Sequence, residues 1–172
     1  IDLTGTKLPE LPRFGMRMEL HQPYENLVYY GRGPFENYID RYSSSFIGRY
    51  EDKVENQFYW YIRPQETGNK TDVRWLSLLD SEGQGVRITG LQPIAFSALH
   101  FSPEDLDPGL TRKLQHTIDI VPQKNIFLHV DLKQRGLGGD NSWGMYPHNE
   151  YRLLDKKYTY SYMIELVEKN SD

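Results

Sequence analysis

YTYSYMIEL (158–166) is the stretch on which the fold turns. Successive strand side chains point to opposite faces, so Tyr158, Tyr160, Tyr162, Ile164 and Leu166 share one side and Thr159, Ser161, Met163 and Glu165 the other. One face is then core and the other partly wet. NIFLHVDLK (125–133) behaves likewise, with Ile126, Leu128, Val130 and Leu132 on one face and Phe127, His129, Asp131 and Lys133 opposite. The same period of two recurs over Arg17–Leu20, Leu27–Tyr30, Ser45–Tyr50, Thr71–Leu79, Val86–Thr89 and Phe96–Phe101, between turn-rich stretches such as GRGP, PQETGNK and DSEGQG. This spacing predicts an all-β, antiparallel sandwich. One helical signal interrupts it near 103–107: Ser102 as N-cap, Pro103 at the first helical position and Asp105 at the third, with Pro108-Gly109 to end it.

Composition agrees. Thirteen Tyr, seven Phe and three Trp accompany 14 Gly and 10 Pro in 172 residues, a mixture that favours pleated sheet with turns. The length suits one domain with a real core. Residues 1–15, rich in Pro and Gly, read as an extended entry segment, 16–168 as the sandwich and 169–172 as a tail. No cysteine is present, which excludes disulfides, thiolate metal sites and cysteine nucleophiles. A net charge of -4, with Lys156-Lys157 as the only basic run, argues against nucleic acid as a partner. Apolar stretches fall far short of the roughly 20 residues that span a bilayer, so a soluble domain is expected. The chain opens at Ile1 rather than Met, which suggests a piece of something longer.

The residue types that carry chemistry are present without the patterns that organise them. His21, His100, His116, His129 and His148 form no H-E-x-x-H or similar spacing, and no G-x-S-x-G turn offers a serine nucleophile. Glu36, Asp40 and Glu66 stand in loop-like stretches among Gly, Pro and Arg; the plainer reading pairs Glu36 and Asp40 with Arg32, Arg41 or Arg74 to pin a corner. Asn69-Lys70-Thr71 is formally a glycosylation acceptor, a tripeptide short enough to be accidental. Trp60 and Trp75 lie in strand-like runs and are expected in the core.

RGLGGDNSWG (135–144) is too rich in glycine for a strand and has no G-K-[ST] to make a phosphate cradle. Gly136, Gly138 and Gly139 permit tight turns with φ above zero that aim Trp143 out of the sheet. An indole face stacks on the C–H face of a pyranose while Asp140, Asn141 and Ser142 take hydroxyl bonds. Equally open on composition is Trp143 as a plug at the end of the sandwich.

Four motifs in order, GRGPFENYIDR (31–41), PQETGNKTDVRWL (64–76), HFSPEDL (100–106) and GLGGDNSWG (136–144), resemble the C-terminal domain of the large β-galactosidases of glycoside hydrolase family 2. The resemblance runs from about Leu11 to Val167 and marks Gly33, Pro34, Glu36, Tyr38, Asp40, Arg41, Glu66 and Arg74 as motif positions. It implies the second half of a β-supersandwich, with two catalytic glutamates, magnesium and a possible sodium site in a TIM barrel outside this chain. It also implies that Trp143 reaches the edge of the galactoside pocket. The remaining domains of a homo-oligomeric parent, in a bacterial cytoplasm or periplasm, are the implied partners. Gly-Met-Tyr-Pro-His follows Trp143, in a stretch that varies within the family. A self-sufficient galactoside-binding module and a purely structural domain are the competing readings.

Overall fold

A computed structural model describes residues 1–8, 10–107, 109 and 115–169. The strands are β1 (Arg13–Leu20), β2 (Asn26–Gly33), β3 (Phe46–Lys53), β4 (Lys70–Leu79), β5 (Gly85–Leu99), β6 (Ile126–Gln134) and β7 (Tyr162–Val167). They form one antiparallel sheet in the order β1-β6-β5-β4-β2-β3, with β7 also on β5. The fold is thus of the all-β antiparallel sandwich class that the alternation predicts. The helix α1 is a single turn, Pro103–Leu106, closed by a reciprocal capping box between Ser102 and Asp105. Pro108 and residues 170–172, to which the sequence assigns the end of the helix and most of the tail, lie outside the described residues. Among the described residues no helix is long and apolar enough to cross a membrane.

The two segments Val86–Thr89 and Phe96–Phe101, separate by sequence pattern, join in the 15-residue β5. Gly90 and Pro93 suggest a break because they are turn residues. The fold keeps both in the strand by setting them at an irregularity, where Thr89 faces Trp75, Ile94 faces Val73, and only Arg74 spans the four residues between. Proline cannot donate to a ladder, and here the ladder is already interrupted. The first half of β5 then pairs with β7 and the second half with β6, so one bent strand serves both parts of the sheet.

The main core gathers Leu27, Tyr29, Val73, Leu76, Leu78, Ile88, Ile94, Phe96, Ile126, Leu128 and Val130, with Met16, Met18, Tyr160 and Tyr162 packed against it. β6 is buried on both faces, with Phe127, His129 and Asp131 opposite the main core, and a second cluster gathers Phe58, Leu99, Phe101, Leu106 and Ile120. The period-2 face of 158–166 divides. Tyr158 is buried and packs against Leu3 and Leu153, whereas Ile164 and Leu166 are exposed along β7. Trp60 departs from its expected core position: it is 57% exposed, in the irregular stretch after β3, touching Phe58 edge-on at 4.9 Å. Trp75 is half-buried on β4 with the Arg87 guanidinium 4.1 Å from its ring centroid.

The amino-terminal segment docks before β1 begins. The Ile1 amino group donates to the Tyr158 carbonyl at 2.8 Å, Asp2 bridges Lys157, and Leu11 bridges Leu153.

Candidate functional site

The loop from Arg135 to Arg152 leaves the end of β6 and is held at three levels. At its base, Glu10 receives Arg135 Nη1 at 2.9 Å and Arg152 Nε at 2.8 Å, so one nearly buried carboxylate ties both ends. Hydrogen bonding from Arg152, and then from Arg135, holds the Glu10 carboxyl below its ordinary range against the opposing effect of burial. Both guanidinium groups also sit against the Tyr146 ring, at 5.4 and 4.9 Å from its centroid.

One level up, Asp40 reaches from the loop after β2. Its Oδ2 accepts the Gly138 N–H at 2.7 Å. A Cβ on Gly136 would stand 2.6 Å from the Asp40 carboxyl carbon, so glycine is needed there for the carboxylate to approach. At the tip, His148 Nε2 meets Asp140 Oδ1 at 2.9 Å, which raises the His148 pKa, and the Trp143 N–H donates to Asn141 Oδ1 at 2.8 Å in an Asx turn. Gly144, at φ +92°, then reverses the chain, whereas Gly136, Gly138 and Gly139, where the sequence leads one to expect positive φ, do not adopt it. The result is an indole that is 92% exposed. Trp143 therefore does not plug the sandwich end. Asp40, Gly138, Gly139, Asp140, His148 and Tyr151 line a shallow cavity of about 190 Å³ beside it.

The other motif residues build the shelf below. Glu36 accepts from Arg41 Nη2 (3.0 Å), the Tyr61 hydroxyl, Thr67 Oγ1 (3.0 Å) and the Gly68 N–H (2.7 Å), which occupies its carboxylate with structural bonds. Asp40, by contrast, pairs with the loop backbone and with none of Arg32, Arg41 and Arg74. Arg32 instead bonds Asp72 Oδ2 at 2.5 Å, and Arg74 donates to the Asp72 carbonyl with its guanidinium over Tyr30. Tyr38 is buried with Arg41 against its ring at 4.7 Å, and burial pushes its phenol far up. Gly33, joined to Pro34 by a cis peptide bond, packs so closely on Tyr29 and Tyr50 that a side chain has no room. Buried Asn37 ties the two motifs together: its Oδ1 accepts the Thr71 N–H at 2.9 Å, and the Asn69 amide donates to its carbonyl at 2.8 Å. Asn69 is only 1% exposed, so its side chain serves this corner and is closed to a glycan.

Glu66 stands apart from the Trp143 loop. It faces Arg13 Nη1 at 3.3 Å, and Arg13 also forks onto Asp131 through Nε (3.0 Å) and Nη2 (2.7 Å). Sequence reasoning missed Glu10, Arg135, Arg152 and Tyr146 as loop supports. Their partners lie up to 142 positions away, and no local pattern signals such contacts.

The Asp40 contact can be tested directly. In Asp40→Ala the Gly138 N–H loses a charged acceptor worth about 2 kcal/mol, and its amide exchange is expected to quicken roughly thirtyfold while the melting temperature hardly moves. Unchanged exchange at Gly138 would show that something else holds the loop.

These features define a β-sandwich domain that presents an aromatic-tipped loop clamped by carboxylates at its base and middle. The chain belongs to the beta-galactosidase small chain family, which matches it over residues 1–164. It is 35% identical over 159 residues to a beta-galactosidase of Priestia megaterium, an overlap of 92% of this chain and 15% of that protein. A beta-galactosidase of Streptococcus thermophilus is 34% identical over 160 residues, covering 92% of this chain and 15% of its own length. One of Photobacterium profundum is 30% identical over 168 residues, with 96% and 15% covered. The chain thus spans about 15% of the length of these relatives.

Proposed function

We propose that the chain is the C-terminal β-sandwich portion of a retaining β-galactosidase of glycoside hydrolase family 2, and that it supplies Trp143 to the edge of the galactoside pocket. The observation that carries this reading is the 92% exposed indole on a loop clamped by Glu10 and Asp40, because an exposed tryptophan on a fixed backbone is what stacking on a sugar face requires. Asp140 and Asn141 each give one oxygen to the loop itself, and the Asn141 amide nitrogen, the second Asp140 oxygen and the Ser142 hydroxyl face outward for sugar hydroxyls.

In this reading bond cleavage belongs to the rest of the enzyme. One glutamate attacks the anomeric carbon while the other protonates the leaving oxygen, from carboxyls about 5 to 5.5 Å apart. Glu36 is occupied by its structural hydrogen bonds, Asp40 holds the Gly138 N–H through one oxygen, and neither is given either role. The magnesium implied by the resemblance has no fitting donor set here: among the described residues no three His, Asp or Glu side chains converge as a metal site. No step is therefore assigned to a metal in this chain.

The test is Trp143→Ala in the full-length enzyme. Loss of a stacking contact of about 1.5 kcal/mol raises KM for a galactoside roughly tenfold, with Trp143→Phe intermediate. The melting temperature should stay within about 1 °C, since the indole supports no packing. Unaltered turnover and KM in Trp143→Ala would remove the proposed sugar contact. Titrating galactose into the 172-residue chain separates this from a self-sufficient binding module, because half a pocket binds negligibly.

A further inference from the structure

A second cavity, of about 230 Å³, opens on the outer face of β5 and β6 beneath α1. Both polar and apolar groups line it. Leu99, Phe101, Leu106 and Phe127 form apolar walls, and Arg13, Glu66, Ser97, Asp107 and His129 supply the polar positions. The Trp143 loop makes no use of this set.

We propose that this cavity binds a small organic cation, a guanidinium or ammonium group on a short apolar stem. The charge around it is unbalanced. Glu66 and Asp107 line it and Asp131 lies directly behind, three carboxylates against the single Arg13 guanidinium among the described lining residues. Arg13 is already engaged at all three nitrogens, by Asp131, Gln134 and Glu66, so it has little left for an anion. Among the described residues nearby, Arg17 pairs with Glu104 at 2.8 Å and Glu36 with Arg41 at 3.0 Å. A cation placed on Glu66 restores the balance in a partly desolvated site, where an ion–carboxylate bond is stronger than on the surface.

The remaining groups suit the same ligand. His129 and Ser97 form no side-chain hydrogen bond among the described residues, yet both face the cavity. Burial, with Arg13 and Arg17 nearby, lowers the His129 pKa to about 4, so at neutral pH the ring is uncharged and offers a lone pair to an N–H donor. The volume is smaller than the roughly 300 to 1,000 Å³ of drug-sized sites and fits one alkyl cation. Its methylenes lie along the phenylalanines and leucines as a lysine or arginine stem covers an apolar surface. Burial also raises the Glu66 carboxyl against the pull of Arg13. Cation binding opposes that rise, so affinity should increase with pH as the Glu66 carboxyl loses its proton.

The experiment is an NMR titration of the 172-residue chain with butylguanidinium, and with butylurea as its neutral counterpart. Saturable shifts at Ser97, His129 and the Phe127 backbone are expected, with butylurea and the variant Glu66→Gln each at least about tenfold weaker. Should Glu66→Gln lose its dispersed spectrum, the comparison of the two ligands and the pH dependence still decide. The peptide Gly-Gly-Arg-Gly-Gly forms a further arm. Binding equal to butylguanidinium identifies a polypeptide side chain as the source of the cation, and binding of the free cation alone identifies a small molecule. Equal affinity for butylurea, or shifts confined to other surfaces, would overturn the proposal. It stands apart from the galactoside reading, since Trp143→Ala should leave this titration unchanged.

Discussion

Gly15→Ala is expected to destabilise the chain by about 4 kcal/mol, a large effect for the addition of one methyl group. Gly15 lies on β1 at a register shift, where Phe14 faces Lys133 and Gly15 already faces Asp131. A Cβ there would fall 2.5 Å from the Asp131 Cα and 2.6 Å from the Val130 carbonyl oxygen, and closer still to Asp131 Oδ1. Two of these are backbone atoms of β6, so no rotamer change relieves them and the strands must separate. The carboxylate cannot yield either, because its 1% exposed side chain is forked onto Arg13 and would leave a buried charge unpaired. Urea unfolding of both forms measures the difference. Adding Asp131→Ala should recover only part of the loss, since the backbone contacts remain. A change below about 1 kcal/mol in the single variant would mean that β1 can shift outward at little cost.

The residues that are legible in the sequence are those whose partners are local or periodic. Ile126, Leu128 and Val130 announce a core face by alternation, and Ser102-Pro103-Glu104-Asp105 announces a capped turn by spacing alone. The inward-facing tyrosines at 158, 160 and 162 follow from the same period. Ile164 and Leu166 break the expectation because alternation identifies a face without saying whether another element covers it. Trp60 fails for a related reason, since its apolar neighbours resemble a strand while the backbone there forms no ladder. At the site, Gly136, Gly138 and Gly139 mark a loop, and Trp143 is its only aromatic side chain before Gly144. What fixes that loop is long-range. Nothing near residue 138 points to Asp40, and nothing near 152 points to Glu10. Such pairs become visible only once the sheet order places β1 beside β6 and brings the loop after β2 within reach.

Replacing His129 by Phe should remove about 3 kcal/mol of acid sensitivity, the second large effect expected. The folded ring has its pKa lowered to about 4 from an ordinary 6.5, first by burial and then by Arg13 and Arg17, with Glu104 acting weakly the other way. Between those two values the unfolded chain binds the proton and the folded chain does not. The His129 contribution is therefore complete above about pH 6.5 and is lost as pH falls toward 4. Other groups facing the same region titrate in the opposite sense. Burial raises the carboxyls of Glu66 and Asp131, so the folded state takes up protons there first, and those groups favour folding as the pH drops. The wild-type curve alone mixes the two. The difference between wild type and His129→Phe separates them, because Phe keeps a ring in the cavity lining that includes Phe127 and Leu99 and carries no charge. That difference should be flat from about pH 8 to 6.5 and then widen steadily, to about 3 kcal/mol near pH 4, in urea unfolding followed at four pH values. A difference that stays constant across the range would show that the ring is either protonated in the folded chain or open to water. Either result would also remove the neutral acceptor on which a cation in the neighbouring cavity depends.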